Sequence, residues 1–428
     1  MNVMPQPAAS WASDRTGIVV RIKPSGALAS RTDDPDVLRI VESIGLGLRR
    51  NPKRAQLLVS TVLGKHVPVR ASWCLKAGQE LGGAVARAAK AASLEGVSFD
   101  VIGFAETATG LGHQVARRLD AAMYVHTTRR PDPGQPRLTF FEEHSHAVDQ
   151  ALTPPRAAFD PARVAVLVDD ELSTGRTAIH AIAALAPKTG HTTWIVASLL
   201  DTRSLDDQSW CRVQAEKLGV RIYDAALLTG SVEVDALSIE RAHALVASAP
   251  IPLLIEDDAP TAARFFSLGT RGLATTARLG FTARDDAALR LLARTAAQAL
   301  HSAAEIDASG TIVVGDEELM YFPQLLALNL GDARTCTTSR SPGLAIDDET
   351  YPLRSAVAFD SIHEPGRTAY SYNTTRPGAA TTLVLVTEDP LDARGRRGVV
   401  AALATSGARL LVVTLTPQAA AGTLMEIG

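Results

Sequence analysis

The stretch Val164-Ala165-Val166-Leu167-Val168-Asp169-Asp170-Glu171-Leu172-Ser173-Thr174-Gly175-Arg176-Thr177 decides the fold. Its first five residues are an apolar run typical of a buried strand, and two carboxylates follow where that strand is expected to end. A short loop of hydroxyls around one glycine then leads to a helix that is predicted to begin near Ala178. Strands and helices alternate in this way from about residue 99 to residue 200. This alternation predicts a largely parallel sheet, with ligands at the carboxyl ends of its strands.

The loop after this strand has the chemistry of a sugar-phosphate site. N–H groups at the start of a helix lack intrahelical partners and attract phosphate, and a glycine lets the backbone approach an anion closely. Asp169 and Asp170 repel phosphate and instead suit ribose hydroxyls or a metal ion. The residues predicted to hold the phosphate are Ser173, Thr174, Gly175, Arg176 and Thr177.

This pattern resembles the phosphoribosyl-pyrophosphate (PRPP) loop of type I phosphoribosyltransferases, which is an apolar strand, two acids, a short spacer and Thr-Gly-x-Thr. The resemblance implies a transferase that uses PRPP and Mg²⁺, with Asp169 and Asp170 as catalytic residues and metal ligands. It also implies a pyrophosphate loop one strand earlier, at Ala105, Glu106 and Thr107. Glu106 departs from relatives that place a lysine or arginine in this loop. It is predicted to hold Mg²⁺, directly or through a water.

A long segment between two predicted strands, residues 129–146, is predicted to close over the substrate as a catalytic hood. Arg129 is expected to neutralise the departing pyrophosphate, and Glu143 and His144 to act as acid, base or metal ligand. The alternative is a solvated hairpin with ordinary surface charges. Lys65, next to a glycine and a histidine, is a possible phosphate ligand, or part of a surface turn.

The C-terminal part is predicted to form a second α/β unit from Thr311 onwards. The segment 337–342, Thr-Thr-Ser-Arg-Ser-Pro, is similar to the Thr-Arg-Ser-Pro motif that names an appended domain, TRSP. That domain belongs to a phosphoribosyltransferase subgroup predicted in bacterial tellurite-resistance and stress gene clusters and related to orotate phosphoribosyltransferases. A second small-molecule site, for a phosphate or nucleotide, is predicted here, with a docking face as the alternative. Its residues are Glu317, Glu318, Arg340 and Ser341.

The sequence therefore predicts an α/β protein, in which a parallel-sheet type I phosphoribosyltransferase domain precedes a second, smaller α/β domain. The expected divisions are an N-terminal extension 1–35, a phosphoribosyltransferase domain 36–235, a helical connector 236–305 and a C-terminal TRSP-like domain 306–428. Within them, residues 36–49 and 261–268 are predicted to be helical. No internal repeat is visible.

Composition narrows the class of protein. A formal net charge of −3 gives no broad nucleic-acid-binding surface. Three cysteines far apart form no disulfide or metal pattern, which fits a reducing, cytoplasmic compartment. No apolar run reaches membrane-spanning length. The expected partners are small molecules and, by the resemblance, a second copy of the chain in a homodimer.

Three function classes stay open at this point. The first is a phosphoribosyltransferase, whose acceptor base the sequence does not define. The second is a non-catalytic PRPP- or nucleotide-binding regulator, which Glu106 favours. The third is a dinucleotide-dependent oxidoreductase, which rests only on the pair Gly110 and Gly112, because Val115 occupies the place of the third glycine.

Overall fold

This computed structural model of the chain describes residues 10–51, 54–130, 138–141, 149–153, 159–256, 262–376 and 378–427. In chain order its strands are β1 (Val19–Pro24), β2 (Ile44–Leu48), β3 (Gln56–Ser60), β4 (Val69–Arg70), β5 (Phe99–Gly103), β6 (Met123–His126), β7 (Leu138–Phe141), β8 (Asp149–Leu152), β9 (Val164–Leu172), β10 (Thr193–Asp201), β11 (Arg221–Glu233), β12 (Arg264–Gly269), β13 (Thr311–Gly315), β14 (Arg334–Thr337), β15 (Ala356–Asp360), β16 (Thr368–Tyr372), β17 (Thr382–Thr387), β18 (Arg409–Thr416) and β19 (Leu424–Ile427).

The helices are named in the same way. They are α1 (Trp11–Thr16), α2 (Pro35–Val41), α3 (Ala71–Ala91), α4 (Ala108–Arg118), α5 (Arg176–Thr189), α6 (Leu205–Leu218), α7 (Ala236–Ser248), α8 (Ala283–Ala304), α9 (Tyr321–Asn329), α10 (Ala393–Gly395) and α11 (Ala401–Ala404). A 3₁₀ turn covers Gly26–Leu28, and a π-helical turn, Arg396–Val400, joins α10 to α11. None of the helices in the described ranges has the length and apolar character needed to cross a membrane.

The chain divides into two compact units whose segments interleave along the sequence. The first unit comprises the residues up to 43, 75–238 and 277–283, and the second comprises 44–74, 239–276 and the residues from 284 onwards. Each unit is built on its own mainly parallel sheet. The predicted α/β class, with a parallel sheet in each of two domains, is therefore confirmed.

The first sheet has six strands in the order β1-β11-β10-β9-β5-β6. Only β1 is antiparallel to its neighbour, and it lies within the segment 1–35 that the sequence predicts as an extension. The apolar run Val164–Val168 is fully buried in a central strand, because β5 and β10 flank β9 and helices pack against the sheet. Ala178 and Ile182 of α5 pack into the same core as Leu167. This packing fixes the loop between β9 and α5 at the carboxyl edge of the sheet.

The second sheet has seven strands in the order β19-β12-β18-β17-β13-β14-β4, and only the edge strands β19 and β4 are antiparallel. Its core contains Ile312, Leu385 and Val412. The second unit extends beyond the predicted domain 306–428, because residues 44–74 supply β4 and the predicted connector 236–305 supplies β12. With one strand more than the first sheet, this unit is larger than the sequence predicts.

Two predicted helices are wholly or partly strands. The helix expected over 36–49 ends at Val41 as α2, and β2 begins at Ile44, where it pairs with β3. The segment 261–268 includes most of β12, which pairs with β18 on one side and β19 on the other. β2 pairs with the next strand along the chain and β12 with strands distant in sequence, and in both cases this pairing overrides the local preference for helix.

The two sheets follow the same path, which corrects the expectation of no internal repeat. In the first unit, β5 leads through α4 to β6, the hairpin β7–β8 follows, and the chain returns to β9 on the other side of β5 before continuing through α5 to β10. In the second unit, β13, α9, β14, the hairpin β15–β16, β17, the helical run α10–α11 and β18 occur in the same order and the same positions.

Candidate functional site

The two predicted ribose-binding acids lie on an extension of β9. β5 ends at Gly103, opposite Val168, whereas β10 pairs with β9 as far as Leu172. Asp169 and Asp170 therefore have a neighbouring strand on one side only, and both are half-buried. The Asp170 N–H donates to Asp169 Oδ1 at 2.8 Å. The strand thus continues past the predicted end at residue 168 and carries both carboxylates to the edge of the sheet.

The predicted phosphate loop leads directly into α5. Gly175 is the N-cap residue, with φ of 76°, and a Cβ atom there would lie 2.7 Å from Cys211 Sγ. Both the positive φ and the lack of space require glycine. Glycine has no side chain with which to cap the first-turn N–H groups, so the start of α5 suits an anion. Ser173, Thr174 and Thr177 are half-buried around it.

Residues from the end of β10, the connection to α6, α6 itself and β11 pack against this loop. The Arg203 guanidinium lies 2.7 Å from an Asp201 carboxylate oxygen and 2.9 Å from one of Asp224. Burial lowers the pKa of Arg203, but the two carboxylates outweigh burial and raise it. A Cβ atom on Gly175 would lie 3.0 Å from Arg203 Cδ. The Arg176 guanidinium lies 4.5 Å from the centre of the Trp210 ring, so it points toward α6.

The predicted pyrophosphate loop is the turn directly after β5. A cis peptide bond joins Ala105 to Glu106. The Ala105 N–H donates to Thr127 Oγ1 at 2.8 Å, and Gln150 Nε2 donates to the Ala105 carbonyl at 3.1 Å. Glu106 is buried and Thr107 half-buried. The turn lies beside the acids of β9, because β5 and β9 are neighbours in the sheet.

The predicted hood is only partly described. Arg129 follows β6 and is half-buried; two residues earlier, the Thr127 N–H donates to the Gly103 carbonyl at 2.9 Å, which places this segment at the same edge. Glu143 and His144 lie outside the described residues. The structure therefore brings together the phosphate loop, the pyrophosphate turn and the start of the hood.

The glycine pair that pointed to dinucleotide binding has a packing role. Gly110 and Gly112 lie inside α4 and not in a loop. A Cβ atom on Gly112 would lie 2.5 Å from Tyr124 Oη, and the ring stacks edge-on against His113 at 4.5 Å. Gly112 thus lets α4 approach β6 closely, and the position of both glycines inside a helix removes the sequence argument for an oxidoreductase.

The predicted metal ligands are Asp169, Asp170 and Glu106. Within the part of the chain that the structure describes, no group of three or more His, Cys, Asp or Glu side chains is arranged to hold a metal ion. Mg²⁺ usually keeps several waters and takes one or two protein carboxylates together with substrate phosphates. The half-buried pair on β9 therefore fits a magnesium ion held mainly by a diphosphate substrate.

The residues predicted for a second site lie together in the second unit. Glu317 and Glu318 follow β13, and Arg340 and Ser341 follow the neighbouring strand β14. Arg340 Nη2 lies 2.6 Å from Glu317 Oε2. Lys65 also belongs to this unit, where its carbonyl accepts the N–H of Thr337, the last residue of β14, at 3.1 Å.

Sequence reasoning missed Gln150 and Arg203. Gln150 is one polar residue in β8, and nothing in the local pattern marks it. Arg203 follows a strand end and an acid, Asp201, in the same way as the predicted site residues, so its position at the carboxyl edge of the sheet was the available signal.

Comparisons with known proteins agree with this geometry. Residues 44–231 match the family model described as phosphoribosyl transferase, and residues 275–403 match that of the TRSP domain C-terminal to it. No curated protein matches the chain.

Solved adenine phosphoribosyltransferases show a low similarity. The Trypanosoma brucei enzyme is 14% identical over 45% of this chain and 79% of its own, with a TM-score of 0.33. The Thermoanaerobacter pseudethanolicus enzyme is 22% identical over 44% of this chain and 98% of its own, with a TM-score of 0.29. These values are too low to support a conclusion about ligand or reaction.

Proposed function

This chain belongs to the phosphoribosyl transferase family with a C-terminal TRSP domain, and we propose that its first unit uses PRPP. In the proposed reaction, ribose 5-phosphate passes from PRPP to a nitrogenous base in the presence of Mg²⁺, and pyrophosphate is released. The observation that carries the proposal is the run from the half-buried acids Asp169 and Asp170 to the glycine-capped start of α5. It presents carboxylates for a ribose and N–H groups for a phosphate within one loop.

Each part of the site has a role in this proposal. The 5-phosphate binds the N–H groups at the start of α5, with Ser173, Thr174 and Thr177 as hydroxyl donors. The carboxylates of Asp169 and Asp170 accept hydrogen bonds from the ribose hydroxyls. The buried turn at Ala105, Glu106 and Thr107 lines the pyrophosphate, and Arg129 meets its charge.

The reaction exchanges one bond at the anomeric carbon of ribose for another. The bond to pyrophosphate breaks and a bond to a base nitrogen forms, while the base gives up its proton to solvent or to a hood residue such as Glu143 or His144. Positive charge develops on the ribose ring, and the acids of β9 stabilise it. When bound, Mg²⁺ neutralises charge on the departing pyrophosphate. Glu106 would help to hold such an ion through a bound water.

The test is the double variant Asp169→Asn, Asp170→Asn, followed by titration calorimetry with PRPP and Mg²⁺. We expect a loss of affinity of about a hundredfold or more, since each carboxylate provides charged hydrogen bonds worth about 1.5–3 kcal/mol. Asp206→Asn, an exposed change on α6, is the matched control and keeps wild-type affinity. Unchanged PRPP affinity in the double variant contradicts the proposal.

A second candidate function is a PRPP-binding regulator without turnover. Glu106 favours it, because a buried carboxylate in the pyrophosphate turn repels the negatively charged pyrophosphate group of PRPP. Pyrophosphate release across a panel of purine and pyrimidine bases separates the two functions. Tight PRPP binding with no release for any base supports the regulator.

We further propose that the chain forms a homodimer, as the family resemblance implies. Light scattering after size-exclusion chromatography measures the mass in solution. A monomer at micromolar concentration contradicts this assembly.

A further inference from the structure

The repeated path of the two units extends to individual hydrogen bonds. In the first unit, the Thr127 N–H donates to the Gly103 carbonyl at 2.9 Å, and Thr127 Oγ1 accepts the Ala105 N–H at 2.8 Å. In the second unit, the Thr338 N–H donates to the Gly315 carbonyl at 2.9 Å, and Thr338 Oγ1 accepts the Glu317 N–H at 2.9 Å. Glu317 thus occupies the position of Ala105, in a turn built by the same backbone contacts.

The residues that follow each threonine repeat the same arrangement. Thr128 and Ala151 exchange backbone hydrogen bonds of 2.7 and 3.1 Å, and Ser339 and Tyr370 exchange bonds of 2.9 and 2.8 Å. Each exchange joins the end of the second strand to a hairpin. Arg340 therefore corresponds to Arg129, so the motif that names the TRSP domain is the counterpart of the start of the hood.

The pairing of β9 and of β17 with their neighbours shows which residues of the second unit correspond to Asp169 and Asp170. Gly103 lies opposite Val168 in the first sheet, and Gly315 lies opposite Val386 in the second. The residue after the valine pairs with Ser198 in the first sheet and with Thr414 in the second. Thr387 and Glu388 consequently stand where Asp169 and Asp170 stand, so one of the two carboxylate positions is retained.

Within its described residues, the second unit has no counterpart of the phosphate loop. Where the first unit has the glycine-capped start of α5, the second has Asp392, whose carboxylate accepts the Gly395 N–H at 2.7 Å. Asp389, another acid, is exposed on the same connection. An anion at this helix start meets a carboxylate that already caps it. The second unit therefore lacks the means by which the first is proposed to bind a 5-phosphate.

At the carboxyl edge of the second sheet, charged side chains form ion pairs and hydrogen bonds with one another. Glu317 accepts hydrogen bonds from Ser361 Oγ at 2.9 Å and from Arg340 Nε at 2.8 Å, and Arg340 also meets Glu364 at 3.1 Å. Two carboxylates thus neutralise Arg340. His363 Nε2 is hydrogen-bonded to an Asp316 carboxylate oxygen. The acids outnumber the cations here, which disfavours a phosphate or any other anion.

One buried side chain on the helix that follows the Glu317 turn carries an unsatisfied acceptor. Gln324 lies on α9, which follows the Glu317 turn, and is 3% exposed. Its Nε2 donates to the Leu63 carbonyl at 3.3 Å, whereas its Oε1 is buried without a hydrogen-bond partner among the described residues. A buried acceptor without a donor is costly, and a hydroxyl-bearing ligand relieves that cost.

We propose that the carboxyl edge of the second sheet binds an unphosphorylated riboside. The connections from the adjacent strands β13 and β17 leave in opposite directions, to β14 and to β18, and such a switch point is where open α/β sheets bind ligands. Glu388 accepts the ribose hydroxyls, as Asp170 is proposed to do in the first unit. The phosphate or nucleotide that the sequence suggested for this site is thereby replaced by its dephosphorylated counterpart.

The test titrates the full chain with adenosine, guanosine, cytidine and uridine, and with their 5′-monophosphates. It uses the Asp169→Asn, Asp170→Asn background, so that the first unit does not contribute. We expect at least one nucleoside to bind, and its monophosphate to bind about tenfold more weakly or worse. Glu388→Gln lowers nucleoside affinity about tenfold, the effect of one hydrogen bond to a charged group.

The controls separate this site from the first one. Asp347→Asn, an exposed change in the second unit, keeps nucleoside affinity, and Glu388→Gln in the wild-type background keeps PRPP affinity. Circular dichroism of each variant checks that it folds. The inference is overturned if no nucleoside binds at millimolar concentration, if monophosphates bind as tightly as nucleosides, or if Glu388→Gln leaves nucleoside affinity unchanged.

Discussion

Acidic residues follow central strands in both units, but they differ in burial and in the side chains that contact them. Asp169 and Asp170 of the first unit are half-buried on a strand with one neighbour. Asp316 and Glu317, at the end of β13 in the second unit, are buried; Arg340 neutralises Glu317, and His363 Nε2 is hydrogen-bonded to Asp316. The two pairs follow different strands of the repeated path, since Glu317 corresponds to Ala105 of the first unit. The placement of countercharges, more than the path of the chain, therefore distinguishes the two edges.

The largest effect is expected where the ion pairs are buried. Arg340→Ala leaves Glu317 without its countercharge and lowers the free energy of unfolding by about 3–5 kcal/mol. Arg354→Ala removes a surface pair with Asp347 and costs about 0–1 kcal/mol. Urea denaturation measures both. The comparison fails if Arg340→Ala costs no more than the surface variant.

The phosphate loop is the next most sensitive position. Gly175→Val combines a positive φ with a Cβ placed 2.7 Å from Cys211 Sγ, so we expect about 2–3 kcal/mol of destabilisation and PRPP affinity at least about tenfold lower. The second unit offers a control in Ala393, the first residue of α10, which is exposed. Ala393→Val is expected to change stability by about 0.5 kcal/mol or less. Equal effects of the two variants in calorimetry and denaturation contradict the assigned roles.

One buried histidine in each unit is expected to lower the stability of that unit as the pH decreases. Burial lowers the pKa of His66 in the second unit, with Lys65 and Arg49 adding to the effect, and burial lowers the pKa of His113 in the first, with His126 adding.

Below about pH 6.5 the unfolded chain takes up protons that the folded chain does not. As the pH decreases below this value, the free energy of unfolding decreases by up to about 1.4 kcal/mol per pH unit for each histidine. Urea denaturation from pH 7.5 to 5.5 measures the slope. His66→Gln and His113→Gln should each reduce it, and a slope that neither variant changes contradicts the prediction.

The smallest effect on stability is expected at α10, the helix in the second unit that follows the strand equivalent to β9. Asp392→Ala removes the cap on the Gly395 N–H and costs about 1 kcal/mol of stability. PRPP affinity stays at the wild-type value, because the cap belongs to the second unit. Thermal denaturation and PRPP titration of the same sample check both. A change in PRPP affinity contradicts the separation of the two edges.

Local patterns predicted the strand from Val164, the acids after it and the glycine at the start of α5. These features follow from a few adjacent residues, whose burial and backbone preferences act within one turn. The brace by Arg203 and the contact of Gln150 with Ala105 join residues far apart in the sequence, so no local pattern contains them. β12 was predicted as helix because its pairing with β18 is also distant in sequence.

The repeat was hidden for a related reason. The contacts that the two units share are mostly backbone hydrogen bonds, and the side chains of Thr127 and Thr338 also take part in the same way. Some equivalent residues are identical, as Gly103 and Gly315 are, whereas others differ in type, as Ala105 and Glu317 do. Single matches scattered along the chain form no contiguous sequence repeat.

The pairing of β4 with β14 has a consequence for synthesis. Val69–Arg70 pair with Arg334–Thr335, although most of the first unit lies between them in the sequence. β4 leaves the ribosome long before β14, so β4 has no partner strand while residues 75–238 are synthesised. The second unit can finish folding only when nearly the whole chain has been made. A single proteolytic cut near residue 238, where a long segment of the first unit ends, therefore leaves no complete second unit in one fragment, because one fragment keeps residues 44–74 and the other keeps their partner strands.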